Sequence, residues 1–242
     1  MQQESSGSCQ DFVKVPDVML FDFGGTLDAD GDPWAVRFHR AYAAVGGRLG
    51  FPEFEARFRE ADRRLERDPS VRTMGFRAMI VAQTELLRSL LPDGGSIDLG
   101  CVAQRFHCDS IAVVDRNRST LERLSDRYRL GVVSNFTGNL DPCLAELDLL
   151  RFFSVTVDSM RVGWAKPNPR IFETTLEILR IAPSAAWMVG DNFENDIRPA
   201  AALGLGACWL ADPQRPAPSD SAAYKRIARL TQLPAVLTTC TD

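Results

Sequence analysis

The strongest constraint on the fold is a regular alternation of short apolar runs with stretches of helical periodicity. The apolar runs lie at 18–21, 130–133, 153–157, 186–189 and 207–210. Short apolar runs bounded by turn residues are typical of buried strands. Strands that alternate with helices form a parallel sheet covered on both faces. The sequence therefore predicts an α/β fold with a Rossmann-like, doubly wound parallel sheet, whose ligands bind at the carboxyl ends of the strands.

A long helical block separates the first apolar run from the second. Apolar residues recur there at helical spacing, and these are Trp34, Phe38, Tyr42 and Val45, then Phe54, Phe58 and Leu65, then Phe76, Met79, Ile80, Leu87, Leu90 and Leu91. The pattern predicts an all-helical cap over residues 28–112, inserted into a core formed by 15–27 and 113–242. Residues 1–14 are expected to form a flexible tail.

Local signals predict several element ends. Asp141-Pro142 and Asn168-Pro169 each place a capping residue before a proline, which favours a helix start. Gly204 favours a helix end. Residues 211–221 are rich in proline and serine and predict a surface loop before a last short helix.

The net charge and the composition argue against some classes of binding partner. The net charge of −4 argues against a general nucleic-acid or anionic-membrane binder, because such proteins usually carry a basic excess. No apolar run is long enough to span a bilayer. Lys14, Lys166 and Lys225 are the only lysines among 28 basic residues, so a chemical role for lysine has few candidates.

The cysteines and the amino-terminal segment predict a cytoplasmic setting. The six cysteines contain no C-x-x-C pair, so neither a metal knuckle nor a disulfide framework is expected. The opening residues MQQESSGSCQ are polar and lack the apolar segment of a secretory signal. A reducing compartment is therefore expected.

Four polar segments carry the candidate chemistry, and three of them directly follow a predicted strand. The segments are 21–27 (FDFGGTL), 132–135 (VVSN), 166–169 (KPNP) and 188–196 (MVGDNFEND). Each segment alone suits an ordinary turn or cap. As an ordered set at successive strand ends, they favour a phosphoryl-transfer site, which needs a nucleophile, a cation and fixed donors.

These four segments resemble, in order and approximate separation, the four motifs of the haloacid dehalogenase superfamily of hydrolases. The resemblance covers nearly the whole chain from about residue 16 and implies the phosphatase-like branch with a helical cap. It implies that Asp22 is the nucleophile and forms an aspartyl-phosphate intermediate.

The resemblance also implies a metal site and a substrate site. Asp22, the carbonyl of Gly24, Asp191 and Asp196 would hold or support Mg²⁺, a hard cation that prefers oxygen ligands. The remaining site residues are Ser134, Asn135 and Thr26 as substrate contacts, with Ser134 and Lys166 also catalytic. The expected activity is Mg²⁺-dependent hydrolysis of a small phosphorylated metabolite.

Gly24 departs from the family pattern. Family phosphatases usually carry an aspartate two residues after the nucleophile, where it serves as general acid and base. Such a group is commonly worth ~10²–10⁴ in rate, so the glycine predicts a slower enzyme or one restricted to activated phosphates. Asp28 and Asp30 are candidates for a replacement acid, although LDADGDP has the composition of an exposed turn.

Two other readings of the site stay open. A dehalogenase-like hydrolase would use Asp22 on carbon, but such members usually lack the acidic Gly-Asp segment that includes Asp191 and Asp196. A non-catalytic or weakly active member would keep the site only to bind a phosphorylated ligand, and Gly24 is the one feature that favours it. Phosphonate-cleaving members use a cap lysine, and no lysine lies between residues 28 and 112.

The cap is rich in arginine, and an arginine could bind an anionic substrate. Examples are Arg37, Arg40, Arg63, Arg64, Arg72 and Arg77. Most alternate with acidic residues at helical spacing, so ion pairs on a solvated face are the expected role of most. His39 and His107 are too few for a zinc site, and a structural role is expected for His39.

Overall fold

The computed structural model describes residues 16–216, 218 and 223–238. The tail expected over residues 1–14, and part of the loop expected over 211–221, lie outside the described residues. Within them, six parallel strands form one sheet. The strands are β1 (Val18–Phe21), β2 (Arg129–Ser134), β3 (Phe153–Asp158), β4 (Ala186–Gly190), β5 (Gly206–Leu210) and β6 (Lys225–Ile227).

The strand order is β3-β2-β1-β4-β5-β6. The chain places β2 and β3 on one side of β1 and then returns to place β4, β5 and β6 on the other side, so the switch point of the sheet lies between β1 and β4. Val18 in β1 pairs with Arg129 in β2 on one side and with Ala186 in β4 on the other. In doubly wound folds, ligands bind at such a switch point, outside the carboxyl ends of the strands. The predicted fold class is confirmed. The strand β6, which the sequence did not reveal, forms one edge of the sheet.

Side chains of β1 alternate between two hydrophobic cores, as a strand covered on both faces requires. Met19 and Phe21 belong to the larger core, which continues into the helical insertion. Val18 and Leu20 belong to the second core, on the opposite face. All four residues are fully buried, so the short apolar run that predicts a strand reflects burial on both sides.

Nine α-helices occur within the described residues. They are α1 (Trp34–Ala44), α2 (Phe51–Arg67), α3 (Phe76–Leu90), α4 (Leu99–Ser125), α5 (Leu140–Glu146), α6 (Ser159–Val162), α7 (Pro169–Leu179), α8 (Arg198–Ala202) and α9 (Leu233–Thr238). Helices α1 to α4 separate β1 from β2 along the chain, and we call them the helical insertion. None of the helices in the described part of the chain combines the length and apolar character needed to cross a membrane.

The boundary expected between residues 112 and 113 falls inside α4, which runs unbroken from Leu99 to Ser125. The helix continues because its buried positions keep helical spacing past that point, with Val114 and Leu121 buried as fully as Phe106. It contacts α1 and α3 of the helical insertion and also β2 of the sheet. Helix α4 therefore belongs to both layers.

The local signals for element ends were partly right. Asn168 accepts a hydrogen bond from the Arg170 amide and caps α7, as expected. The start predicted at Asp141 is wrong, because α5 begins at Leu140 and follows Asn139. The Asp141 carboxylate instead accepts hydrogen bonds from Thr156 and Arg161.

Candidate active site

The carboxyl ends of three neighbouring strands bring the predicted residues together. Asp22 directly follows β1, Ser134 ends β2 and Asp191 directly follows β4. All three line one cavity of about 330 Å³, together with Lys166 and Asp196. The cavity therefore opens at the switch point of the sheet, where the strand order reverses.

Asp22 is held in one orientation by two donors on the same oxygen. Its Oδ1 accepts hydrogen bonds from Ser134 Oγ at 2.8 Å and from Lys166 Nζ at 2.7 Å. Among the described residues its Oδ2 has no hydrogen-bond partner, and the residue as a whole is 7% exposed. The carboxylate is thus fixed at one oxygen while the other remains available to a ligand.

Lys166 neutralises part of the charge beside Asp22. Its Nζ donates to Asp22 Oδ1, to Asp196 Oδ1 at 2.6 Å and to the Val133 carbonyl at 2.9 Å. Burial alone would lower the pKa of this ammonium, but Asp196 and Asp22 outweigh burial and raise the pKa. The side chain therefore stays charged, with its three N–H donors all engaged.

Asn135 positions Lys166 through the backbone. Its Nδ2 donates to the Lys166 carbonyl at 2.8 Å, and its Oδ1 accepts from the Lys166 amide at 2.7 Å. This pair joins the end of β2 to the loop that precedes α7. Both ends of the Asn135 side chain are therefore engaged, and the substrate contact expected at this residue stays a prediction for its backbone amide.

Asp191 depends on the two residues that follow Gly24. Its Oδ1 accepts from Thr26 Oγ1, and its amide donates to the same hydroxyl, each at 3.1 Å. Gly25 has a φ of +90°, and a Cβ there would lie 2.6 Å from both Asp191 carboxylate oxygens. Only glycine allows this approach.

Thr26 was predicted to contact the substrate, and the structure does not bring its side chain there. It is fully buried and takes no part in the cavity wall. Its hydroxyl serves Asp191 twice, as donor and as acceptor. A threonine at this position fits because the hydroxyl can fill both roles.

Asp196 is fully buried and supports the site through hydrogen bonds at both carboxylate oxygens. Its Oδ1 accepts from Lys166, and its Oδ2 accepts from the Asn192 amide at 3.0 Å. Gly190 leaves room for this carboxylate, since a Cβ there would collide with it. Both oxygens already serve the protein, so the geometry favours the supporting role over direct metal ligation.

Three carboxylates crowd one small volume. One oxygen each of Asp22, Asp191 and Asp196 lies within 4.8 Å of the others. Burial, with the nearby Asp22 and Asp196, raises the pKa of Asp191 well above its ordinary value. Lys166 supplies one positive charge against three buried acids, so the donor set suits a hard divalent cation such as Mg²⁺.

A tryptophan covers the position where family phosphatases carry their general acid. A Cβ at Gly24 would lie 3.2 Å from Trp34 Nε1 and 3.3 Å from its Cε2. The indole is itself fixed, because Nε1 donates to Asp28 Oδ2 at 2.9 Å. The sequence identified Trp34 only as a helical apolar residue, and no spacing signal links it to Gly24.

Neither candidate for a replacement acid is placed to act. Asp28 is fully buried and accepts hydrogen bonds from the Gly25 amide, Trp34, Arg37 and Ser110. Its position also corrects the exposed turn that the composition predicts. Asp28 takes no part in the cavity wall.

Asp30 is also committed within the protein and absent from the cavity wall. It accepts from Arg116 Nη2 at 2.6 Å, from Asn117 Nδ2 at 3.1 Å and from the Leu230 amide at 3.0 Å. It therefore ties the first motif to α4 and to the segment before α9.

Two helices of the insertion complete the cavity wall. Helix α2 contributes Phe58, Asp62, Leu65 and Glu66, and α3 contributes Met79 and Gln83. The sequence singled out none of the polar members, because helical acids and amides usually mark a solvated face.

The cap arginines named as candidates stay out of the cavity wall. Four of them pair with carboxylates: Arg37 with Asp28, Arg40 with Asp32, and both Arg63 and Arg64 with Glu60. The solvated, ion-paired role expected for most of them is correct for Arg40, Arg63 and Arg64 and wrong for Arg37, whose ion pair is buried. His39 Nε2 contacts the Leu49 carbonyl at 2.9 Å, which is a structural role as expected.

Comparison with protein families agrees with this site. The model of the haloacid dehalogenase-like hydrolase family matches residues 16–204. The match covers most of the chain and all four motif segments, so the chain belongs to the haloacid dehalogenase-like hydrolases.

Individual relatives are more distant and match over shorter stretches. Haloacid dehalogenase-like hydrolase domain-containing protein 3 of Bos taurus is 35% identical over 112 residues, 45% of each chain. Glyceraldehyde 3-phosphate phosphatase of Methanothermobacter thermautotrophicus is 42% identical over 91 residues, 37% of this chain and 40% of its own length. The matches thus span less than half of these two relatives.

Among solved structures, the fold resembles a 2-haloacid dehalogenase from Pseudomonas syringae pv. Tomato DC3000. The TM-score is 0.53 at 26% identity, and the superposition covers 93% of this chain and 99% of that one. The fold and the hydrolase family are therefore shared with both phosphatases and dehalogenases.

Proposed function

We propose that this protein is a Mg²⁺-dependent phosphohydrolase that acts on a small phosphorylated metabolite through an aspartyl-phosphate intermediate on Asp22. The observation that carries this proposal is the Asp22 carboxylate, fixed at Oδ1 by Ser134 and Lys166 with Oδ2 unpartnered among the described residues. A second buried acid, Asp191, lies beside it, and a bound cation would neutralise its charge. Such a centre suits attack on a phosphoryl group.

Asp22, Asp191 and the carbonyl of Gly24 would hold the Mg²⁺, with Asp196 as a support. When bound, the ion would neutralise charge on the phosphoryl oxygens and on the crowded carboxylates. The oxygen-only donor set supports this choice, since thiol or imidazole ligands are absent from the cavity wall formed by the described residues.

The chain's own residues support a two-step displacement. An oxygen of Asp22 attacks phosphorus, and the bond from phosphorus to the leaving oxygen breaks with its electron pair on that oxygen. Lys166 would neutralise charge between Asp22 and the phosphoryl group. The Asn135 amide would hold a phosphoryl oxygen, joined by Ser134 when its hydroxyl turns from Asp22 to the substrate. A water oxygen then attacks the phosphorus of the acyl phosphate and releases one proton to solvent. The bond from phosphorus to the Asp22 oxygen breaks, with its electron pair on Asp22. Inorganic phosphate departs and Asp22 recovers its carboxylate.

The absence of an acid at Gly24 sets the preferred leaving group. The leaving oxygen receives no proton from this position and must depart as an anion, which solvent then protonates. Aryl phosphates, acyl phosphates and phosphoanhydrides release weakly basic anions, whereas alkyl phosphates release strongly basic ones. We therefore expect activated phosphates to react faster by a large part of the ~10²–10⁴ that a general acid contributes.

The relatives support phosphoryl transfer over the main alternative. The curated relatives include a glyceraldehyde 3-phosphate phosphatase and a phosphoserine phosphatase. A dehalogenase reading is favoured by the solved 2-haloacid dehalogenase with similar fold and by the missing acid. Carbon–halogen cleavage needs no divalent cation, however, and leaves the buried Asp191 carboxylate beside Asp22 without a counter-charge.

We further propose that the helical insertion is the cap of this enzyme. Its helices α2 and α3 share the cavity wall with Asp22 and Lys166, so they would exclude water and select the substrate.

The test measures phosphate release from acetyl phosphate, p-nitrophenyl phosphate and glycerol phosphate, with Mg²⁺ and with a chelator. Chloride release from chloropropionate runs in parallel. We expect Mg²⁺-dependent turnover that favours the first two substrates and disappears in Asp22→Asn. Chloride release without Mg²⁺ would support the dehalogenase instead. Tight binding of phosphorylated ligands without turnover would support a non-catalytic binder.

A further inference from the structure

The cavity wall formed by α2 and α3 carries a polar pair that the proposed reaction does not use. Gln83 Nε2 on α3 donates a hydrogen bond to Asp62 Oδ1 on α2 at 2.6 Å. An ionised carboxylate oxygen only accepts, so when Asp62 is ionised the amide nitrogen faces it and the amide oxygen faces elsewhere. Both residues line the same cavity as Asp22.

The Gln83 amide oxygen lacks a donor. The residue is only 2% exposed, and its Oε1 has no hydrogen-bond partner within the described part of the chain. A buried carbonyl oxygen without a donor is unfavourable, and native proteins rarely keep one without a reason. Gln83 lines the cavity but its Oε1 is itself shielded, so a ligand would supply the missing donor by drawing the amide toward the cavity.

The charge of this wall excludes a second anion. Asp62 and Glu66 are its charged members, and both are acids. Lys166 is the one basic residue in the cavity wall formed by the described residues, and it is already committed to Asp22 and Asp196. A carboxylate or second phosphate at this wall would meet like charges with no counter-ion.

The titration of Asp62 sharpens this preference near neutral pH. Burial, with a smaller contribution from Glu66, raises the pKa of Asp62 to about 7 against the opposing effects of Gln83 and Arg63. These are the charged and polar groups that face Asp62 from α2 and α3. Asp62 therefore accepts a hydrogen bond most strongly above pH 7, when the carboxylate is ionised.

Apolar side chains flank the pair. Phe58, Leu65 and Met79 of the insertion line the cavity, and Trp34 lines it beside Gly24. These surfaces suit the body of a flat or apolar group whose polar end reaches Gln83 and Asp62.

We propose that the wall of Asp62 and Gln83 binds the leaving group of the substrate. It selects an apolar body that ends in an uncharged or cationic hydrogen-bond donor, a hydroxyl or an ammonium, and rejects a second anion. This proposal rests on the proposed phosphohydrolase function, because it assigns the part of the substrate that leaves.

The test compares aryl phosphates that share one body and differ in the para substituent: hydroxymethyl, aminomethyl or carboxylate, with phenyl phosphate as reference. We expect kcat/KM to favour the hydroxymethyl and aminomethyl esters over the carboxylate by about tenfold or more, the worth of one charge-assisted hydrogen bond. Gln83→Met should reduce that preference to within about threefold. The exposed Gln104→Met is the matched control and should retain it.

The pH dependence tests Asp62 directly. The preference for the aminomethyl ester over the carboxylate ester should widen between about pH 6 and 8 as Asp62 ionises. In Asp62→Asn it should stay flat, because an amide does not titrate in this range.

The outcomes separate this proposal from the function on which it rests. Turnover of all esters without preference overturns the subsite and leaves the phosphohydrolase intact. If no ester is hydrolysed, the binding affinity of Asp22→Asn for each of the same esters is measured by calorimetry. These affinities then decide whether the subsite exists. Tighter binding of the donor-bearing esters then supports the subsite alone, while equal affinities, or no binding of any ester, overturn it.

Discussion

Restoring an aspartate at position 24 is not expected to restore the missing acid by itself. The Cβ of Gly24→Asp would lie 3.2 Å from Trp34 Nε1 and 3.3 Å from its Cε2, so the indole must move by a few tenths of an ångström to admit any side chain. Trp34 cannot yield easily, because it donates to Asp28 and packs edge-on against Phe106 at 5.2 Å. The substitution should therefore strain the fold before it supplies a proton.

The magnitude follows from these contacts. Overpacking a buried site costs about 1–3 kcal/mol, and losing a hydrogen bond to a charged group costs about 1.5–3 kcal/mol. Gly24→Asp should thus lower the free energy of unfolding by between about 2.5 and 6 kcal/mol, a large share of an ordinary domain's stability. Its rate on glycerol phosphate should stay within about threefold of wild type, because the carboxyl lacks a place to act.

Gly24→Asp combined with Trp34→Leu provides that place. We expect the double variant to hydrolyse glycerol phosphate ~10²-fold faster than Trp34→Leu alone, while acetyl phosphate changes little. Steady-state rates on both substrates and urea unfolding of all four proteins measure the effect. The reasoning is refuted if Gly24→Asp alone gives the full gain with wild-type stability.

Three further changes test separate parts of the structure. Gly25→Ala should abolish Mg²⁺-dependent activity, because its Cβ would meet Asp191 at 2.6 Å, whereas Gly46→Ala, with a similar φ and open space, should retain it. Thr26→Val should raise the Mg²⁺ concentration for half-maximal activity about tenfold, since it removes the hydroxyl that orients Asp191. Asp62→Asn should leave stability unchanged below about pH 4 and raise it by about 2 kcal/mol at pH 8.

The sign of the Asp62 effect follows from its pKa. The folded state raises the pKa from 3.8 to about 7, so it holds the proton more tightly than the unfolded chain. Wild-type stability is therefore lost as the pH rises from about 4 to 7, and the amide variant escapes that loss. The full shift corresponds to about 4 kcal/mol, which partial solvent access reduces to about 2 kcal/mol.

Each of these three predictions has an outcome that would contradict it. Active Gly25→Ala would show that the turn tolerates a side chain and that Asp191 need not approach it. An unchanged Mg²⁺ requirement in Thr26→Val, tested by titration with the metal, would remove Thr26 from the support of the metal site. Equal stability differences at both pH values would mean that Asp62 keeps an ordinary pKa.

The sequence predicted the parts of the site that follow from chain order. Polar residues directly after short apolar runs, such as Asp22 and Asp191, had to meet at one edge of a parallel sheet. The strand β6 escaped because it has three residues, two of them basic, and lies at the sheet edge. The length of α4 escaped because the helical pattern does not reveal which layer a helix face contacts.

Contacts between distant residues could not be predicted from one sequence. The interaction of Trp34 with Gly24 and Asp28 depends on how α1 enters the insertion, and no local signal encodes that angle. The same holds for Asp62 and Gln83, which lie 21 positions apart on two helices. An acid or an amide on a helix is ordinarily exposed to solvent. These two side chains instead line the cavity, which their sequence pattern does not indicate.

Trapping the covalent intermediate tests the central claim most directly. The protein is mixed with acetyl phosphate and Mg²⁺, quenched in acid, digested and analysed by mass spectrometry. We expect a phosphoryl group on the peptide that contains Asp22, absent without Mg²⁺ and absent in Asp22→Asn. Turnover without any phosphorylated Asp22 peptide, or a phosphoryl group on another residue, would contradict it.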